Sequence, residues 1–148
     1  MRAGGWAVLA AAGVLLAACT ARSDLPTIPQ QEAESTYGPV VADVKRAIDA
    51  AVPGVRWEPV AERRASDGDR CVYQAGYAVG LWLGEPQQHD PDQLVGVVAA
   101  SAAAHGFAQV KAEVVQGQSR VVATDRRQAT LVVNERPGSI DVAVRVGC

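Results

Sequence analysis

The feature that most constrains this chain is a change of period after Gly106. From there Ala108, Val110, Ala112 and Val114 alternate with Gln109, Lys111 and Glu113. A turn at 116–119 follows, then Val121 and Ala123, a polar turn at 125–127, and Ala129, Leu131 and Val133. A second turn carrying Pro137-Gly138 leads into Ile140, Val142, Val144 and Val146, with Asp141 and Arg145 set between them. A period of two puts the apolar members on one face and the polar members on the other. Strands joined by such short turns pair antiparallel. Only one face of the resulting meander is apolar, so another part of the chain must cover it.

Two helices are available for that. Pro39 suits a first helical position. Val40, Val41, Val44, Ala47, Ile48 and Ala51 recur at three- and four-residue steps, and Pro53-Gly54 stops the run. A second helix starts at Asp90-Pro91, with Gln93 where a capping-box partner belongs, and ends at Gly106. Its stripe is Leu94, Val97, Val98, Ser101, Ala102 and His105. Between the helices, residues 55–60 alternate as a strand that Pro59 either places at an edge or ends. Residues 61–69 read as a charged loop, and a second strand starts near Arg70. The expected fold is α+β: a two-layer sandwich with two helices packed on one face of a mostly antiparallel sheet, in the order α-β-β-α-β-β-β-β.

The N-terminus carries a different kind of information. Residues 6–18 are apolar or small behind a start with one charge, Arg2. Such a run is too short to span a bilayer, which takes about 20 apolar residues. It reads as a secretory signal. The small pair Ala17-Ala18 follows Leu16 and precedes Cys19. Leu16-Ala17-Ala18-Cys19 resembles the lipobox of bacterial lipoproteins. The resemblance implies cleavage before Cys19, a diacylglycerol on its thiol, and a protein held on the outer face of a membrane through lipid. Acyl chains hold by burying methylenes at about 0.8 kcal/mol each, and two or more make release negligible. The expected organisation is 1–18 signal peptide, 19–38 lipidated N-terminus and flexible tether, and 39–148 one globular domain. A flexible tether of that length averages roughly 25 Å end to end.

Compartment then bears on the cysteines. With Cys19 lipidated, Cys71 and Cys148 remain. An even remainder in an oxidising compartment favours one disulfide over two free thiols. Charge excludes one class of partner. Of 14 basic residues Arg2 leaves with the signal, so 13 face 16 acidic ones, a balance of −3 with no basic stripe. Nucleic acid is not an expected partner.

Sites for chemistry are scarce. His89-Asp90-Pro91-Asp92 lacks converging ligands for zinc, and capping explains Asp90. Asp67-Gly68-Asp69 lacks the later ligands of a calcium loop and reads as a tight turn. Glu58 and Glu62 are separated by Pro59, and two solvated charges is the better reading. No serine sits in a nucleophile elbow. Arg63-Arg64 and Arg126-Arg127 read as solvated loop tips. Trp82, set between Gly80 and Gly84, is the aromatic singled out for an exposed patch toward a partner or ligand. No metal, cofactor or catalytic residue is assigned.

The lipobox, the Val52-Pro53-Gly54-Val55-Arg56-Trp57 segment, Gly68-Asp69-Arg70-Cys71 and the terminal Cys148 together resemble small actinobacterial envelope lipoproteins of the LppA-like kind. That resemblance implies a lipid-anchored cell-envelope protein of a family with no established activity, and it assigns one residue, Cys19. The functional expectation is a non-enzymatic domain that binds an envelope protein partner. The alternative is a carrier of a lipid-like apolar ligand between helices and sheet.

Overall fold

The first helix, α1 (Gln30–Ala51), lies along the sheet as a single 22-residue rod. The computed structural model describes residues 25–83 and 90–148. Ala33, Tyr37, Val40, Val41, Val44 and Ile48 form one continuous buried stripe on α1. The helix therefore begins nine residues before the expected start, and Pro39 lies inside it. Residues 30–38, expected as tether, are helix. Ala33 and Tyr37 are in phase with Val40 and Val44, and burying them offsets the backbone bond that a proline removes.

After α1 come β1 (Val55–Pro59), β2 (Arg64–Asp67), β3 (Arg70–Trp82), α2 (Pro91–Ala104), β4 (Ala108–Val115), β5 (Gln118–Thr124), β6 (Thr130–Arg136) and β7 (Ser139–Gly147). The sheet has seven strands in the order β1-β3-β7-β6-β5-β4, all antiparallel, with β2 added beside β3. The α+β class, the two helices and the C-terminal meander match the sequence reading. One strand is new: β2 occupies part of the expected loop at 61–69 and pairs with the first half of β3, where β1 no longer reaches. Its four residues are all exposed, so it has no alternation to read.

Both helices cover the same face. Val121, Leu131, Val133, Ile140, Val142, Val144 and Val146 point into one core with the helix stripes. β3 reaches this core with a bulge between Ala75 and Ala78. Gly76 sits there at φ +64, and a Cβ on it would come within 2.8 Å of Val41 Cβ. At the bulge α1 thus lies close against the sheet, and glycine meets both the steric and the backbone demand.

The two chain ends of the described domain meet. Thr27 forms a parallel bridge to Gly147, Ile28 N–H donates to Gly147 O at 3.2 Å, and Gly147 N–H donates to Pro26 O at 2.8 Å. Cys71 and Cys148, with Cα atoms 5.3 Å apart, form a disulfide beside them. β7 runs away from the far end of the molecule toward this junction. The strand pairings place the turns at 116–117 and 137–138 and the start of β1 at the opposite pole.

Candidate functional site

Five side chains on α1 tie it to five parts of the fold. Arg127 donates to Glu32 at 2.8 Å, and Tyr37 donates to Asp125 at 2.8 Å. Asp43 lies 2.7 Å from His105 at the end of α2, and Trp57 Nε1 donates to Asp49 at 2.7 Å. Glu34 makes the densest contact. Its carboxylate accepts from Arg63, from Tyr73 OH at 2.7 Å, and from Gly76 N–H at 3.2 Å, the amide that the bulge takes out of the ladder. Burial alone pushes Glu34 upward, but the bonds from Arg63, Tyr73 and Gly76 outweigh it and hold the carboxyl below its ordinary range. Burial, helped by the Asp125 carboxylate, pushes Tyr37 up to about 12. Arg63 and Arg127 were expected as solvated tips; they are instead bonded to α1. These contacts hold the two layers together, and they do not converge on a shared cleft.

The face without helices carries a polar row in register across four strands: Asp141 on β7, Asn134 on β6, Arg120 on β5 and Glu113 on β4. Arg120 Nε donates to Asn134 Oδ1 at 2.8 Å, and Asn134 Nδ2 donates to Asp141 Oδ2 at 2.7 Å. Asn134 and Asp141 are buried, and this mutual bonding satisfies them. Burial pushes Arg145 down, as does the positive charge of Arg120. Tyr77 is pushed up, chiefly by burial and then by Asp141.

The most ligand-like feature lies at the pole away from the chain junction. A slot of about 170 Å³ opens between the first turns of α2 and the outer strands. Its apolar wall is Leu94, Val95, Ala112, Val114, Val121 and Val133, with Asp92, Ser119 and Glu135 also lining it. Ala112, a small and exposed residue of β4, forms part of its strand side. On the slot side Val114 is 77% exposed, and Val115, on the other face of β4, is 36% exposed. Leu83, at the same pole, is 58% exposed. Larger recesses near Cys71, Gly106 and Ala61 are open surface depressions.

Trp82 does not make the expected patch. It is half-buried against the core, and the exposed apolar residue is its neighbour Leu83. Gly80 lets this happen, because its missing Cβ leaves room for Val55, Ile140 and Trp57 to close under the strand. Asp90 caps α2 through Asp92 N–H at 3.0 Å, as expected. His89 and Cys19 lie outside the described residues. Among the described residues no three His, Cys, Asp or Glu side chains gather as metal ligands, and no helix is long and apolar enough to cross a membrane. The slot was not foreseen from sequence, where Ala112 is one of two alanines in the alternation Ala108, Val110, Ala112, Val114.

No protein-family model and no curated protein matches the sequence. Solved structures do share the fold. A DUF4853 family protein from Actinomyces odontolyticus superposes with a TM-score of 0.57 at 12% identity, covering 82% of this chain and 68% of that one. A candidate lipoprotein, LppA, from Mycobacterium tuberculosis superposes at 0.52 and 10% identity, covering 81% and 79%. The chain therefore has the α+β fold of these two actinobacterial proteins.

Proposed function

We propose that the protein is a lipid-anchored envelope module that works by binding a partner at the pole carrying Leu83, Val114 and the slot, and that it is not an enzyme. The observation that carries this reading is the placement of exposed apolar surface. Val114 and Val115 are neighbours on the outer strand β4 at the end opposite the junction of residues 25–28 with Gly147, Val114 lines the slot, and Leu83 lies at that same end beside β1, across the width of the sheet. Exposed apolar surface beside a slot marks an interaction site. Membrane attachment rests on the Leu16-Ala17-Ala18-Cys19 pattern and on the fold shared with a candidate lipoprotein. With Pro26 bonded to Gly147, seven Cα steps separate it from Cys19, a reach of at most about 25 Å. A lipid on Cys19 would keep the junction pole within that reach of the bilayer and leave the slot uncovered by the tether.

The slot favours a protein partner over a carried ligand. Its 170 Å³ falls short of the roughly 300–1,000 Å³ typical of small-molecule pockets. It suits one apolar side chain. The test uses the full chain in its native membrane. Intact mass should show a processed, acylated Cys19, and Cys19→Ser should leave the membrane fraction or remain unprocessed. Affinity capture from detergent extract, read by mass spectrometry for both proteins and lipids, should recover a protein. Recovery of a stoichiometric lipid with no protein would reverse the preference, and an unmodified N-terminus would remove the anchor.

A further inference from the structure

The two edges of the sheet are built differently. One is split between β1 and β2, interrupted by Pro59, and flanked by the exposed pair Arg56–Glu58 at 2.9 Å. Those are devices that discourage strand pairing. The other edge is β4, eight residues long and exposed along nearly its whole length. Its only irregularity, at Gln109 (φ +53), lies at the junction end.

The hydrogen-bonding state of β4 follows from its turn. Gln116 and Gly117 both have positive φ, and Val115 pairs with Gln118 across them. That is a two-residue hairpin, in which the flanking pair exchanges hydrogen bonds and pairs alternate from there. Val115, Glu113 and Lys111 thus face β5 with their N–H and C=O groups. Ala112 and Val114 turn theirs outward. The side chains of Ala112 and Val114 line the slot, while Lys111 and Glu113 are on the helix-free face opposite Val122 and Arg120.

We propose that the occupant of this edge is a second copy of the chain, joined β4 to β4 antiparallel about Ala112. The segment Val110-Lys111-Ala112-Glu113-Val114 is complementary to itself when reversed. With Ala112 opposite its own copy, each Lys111 faces a Glu113, and each Val114 faces Val110 of the second copy beside the slot. The outward backbone groups of Ala112 then meet each other. Sliding the register by one pairing step either way sets Glu113 against Glu113 or Lys111 against Lys111, so charge selects this register. The inference rests on reading the slot pole as a docking surface and names what docks there; it does not need the lipid. A five-residue strand pair is smaller than a standard interface, so the free dimer is weak and gains from confinement on a surface. The two-fold axis of such a pair is normal to the sheet. Two copies anchored in one membrane would then lie with their sheets flat along it.

The test is site-directed cross-linking of the full chain in native membranes. Residues directly opposite in such a pair have Cα atoms about 5.5 Å apart, within disulfide reach. Ala112→Cys should give an oxidation-dependent species of twice the mass on a non-reducing gel, and Gln118→Cys, on the inner strand, should not. Adding Lys111→Glu should lower the dimer yield about tenfold by placing like charges opposite at two symmetric positions. Adding both Lys111→Glu and Glu113→Lys should restore it. Circular dichroism and thermal melting confirm that each variant is folded. Self-pairing is overturned if Ala112→Cys cross-links no better than Gln118→Cys, or if the double swap fails to restore a folded variant. A cross-link to a different protein overturns self-pairing but leaves the partner reading intact; no cross-link together with no captured protein removes both.

Discussion

Gly76 offers a quantitative test of how closely the two layers approach. A methyl group there meets Val41 Cβ at 2.8 Å, Cγ2 at 2.9 Å and Cγ1 at 3.3 Å, all inside ordinary contact distance. The φ of +64 adds the penalty of a left-handed conformation, about 1–2 kcal/mol for a residue with a Cβ. Overpacking in a core typically costs a further 1–3 kcal/mol. Gly76→Ala should therefore lose about 2–5 kcal/mol, a large share of the roughly 5–15 kcal/mol that holds a domain folded. The two contributions separate in a double-mutant cycle. Val41→Ala alone should lose about 2 kcal/mol through its cavity. Combined with Gly76→Ala, it removes the two Cγ contacts, though not the one with Cβ, while the new methyl partly fills the cavity. The double variant should then lose at least about 0.5 kcal/mol less than the sum of the singles. Urea unfolding followed by far-ultraviolet circular dichroism measures all four proteins. Strict additivity, or a Gly76→Ala cost under about 1 kcal/mol, would show that α1 does not sit against the bulge as described.

Three other outcomes follow from contacts already given. Reducing Cys71–Cys148, or replacing both by serine, opens a loop of 77 positions and should lower stability by about 4–5 kcal/mol on the chain-entropy account; an unchanged urea midpoint with and without reductant would refute it. Glu34 has a folded pKa below its ordinary 4.5, so the stability it contributes is present above that pH and lost as pH falls through the depressed value; Glu34→Gln should flatten the acid limb of the stability curve, and parallel curves for the two proteins would argue otherwise. Tyr37, Tyr73 and Tyr77 are all raised above 10.0, Tyr37 to about 12. Phenolate absorbance of the folded protein should rise later than that of the urea-unfolded chain. Because these pKa values are raised, their share of stability holds below pH 10 and is lost at higher pH, and coincident titrations would contradict the burial of the three rings and the bonding of Tyr37 and Tyr73 to carboxylates.

What could be read from the residues depended on whether one interaction dominated. The C-terminal runs declare themselves because β5, β6 and β7 bury a face against the helices and the turns are short; β4 keeps the alternation although it is mostly exposed. Asp90 declares α2 because a cap is a local event. The start of α1 was missed because Gly38-Pro39 carries a strong local signal for a boundary. The opposing signal, Ala33 and Tyr37 in phase with Val40, becomes decisive only once the sheet is present to bury them. β2 has no buried face and exists because β3 runs past the end of β1. The slot and the open edge belong to the same class. The letters of residues 110–114 show alternation, but nothing in them says that β4 is last in the sheet. The position of Trp82 turned on Gly80, whose bare backbone admits side chains from two neighbouring strands.

The junction of residues 25–28 with the end of β7 has a mechanical consequence. A pull on the chain ahead of Leu25 does not begin by unwinding α1. It arrives first at Pro26 O and Ile28 N–H, both held by Gly147, which belongs to a strand flanked on both sides by others. The same strand is riveted at its tip to β3 by sulfur. Tension is thereby passed into the middle of the sheet, where many ladder bonds share it, and the domain can be tugged from one end without fraying there.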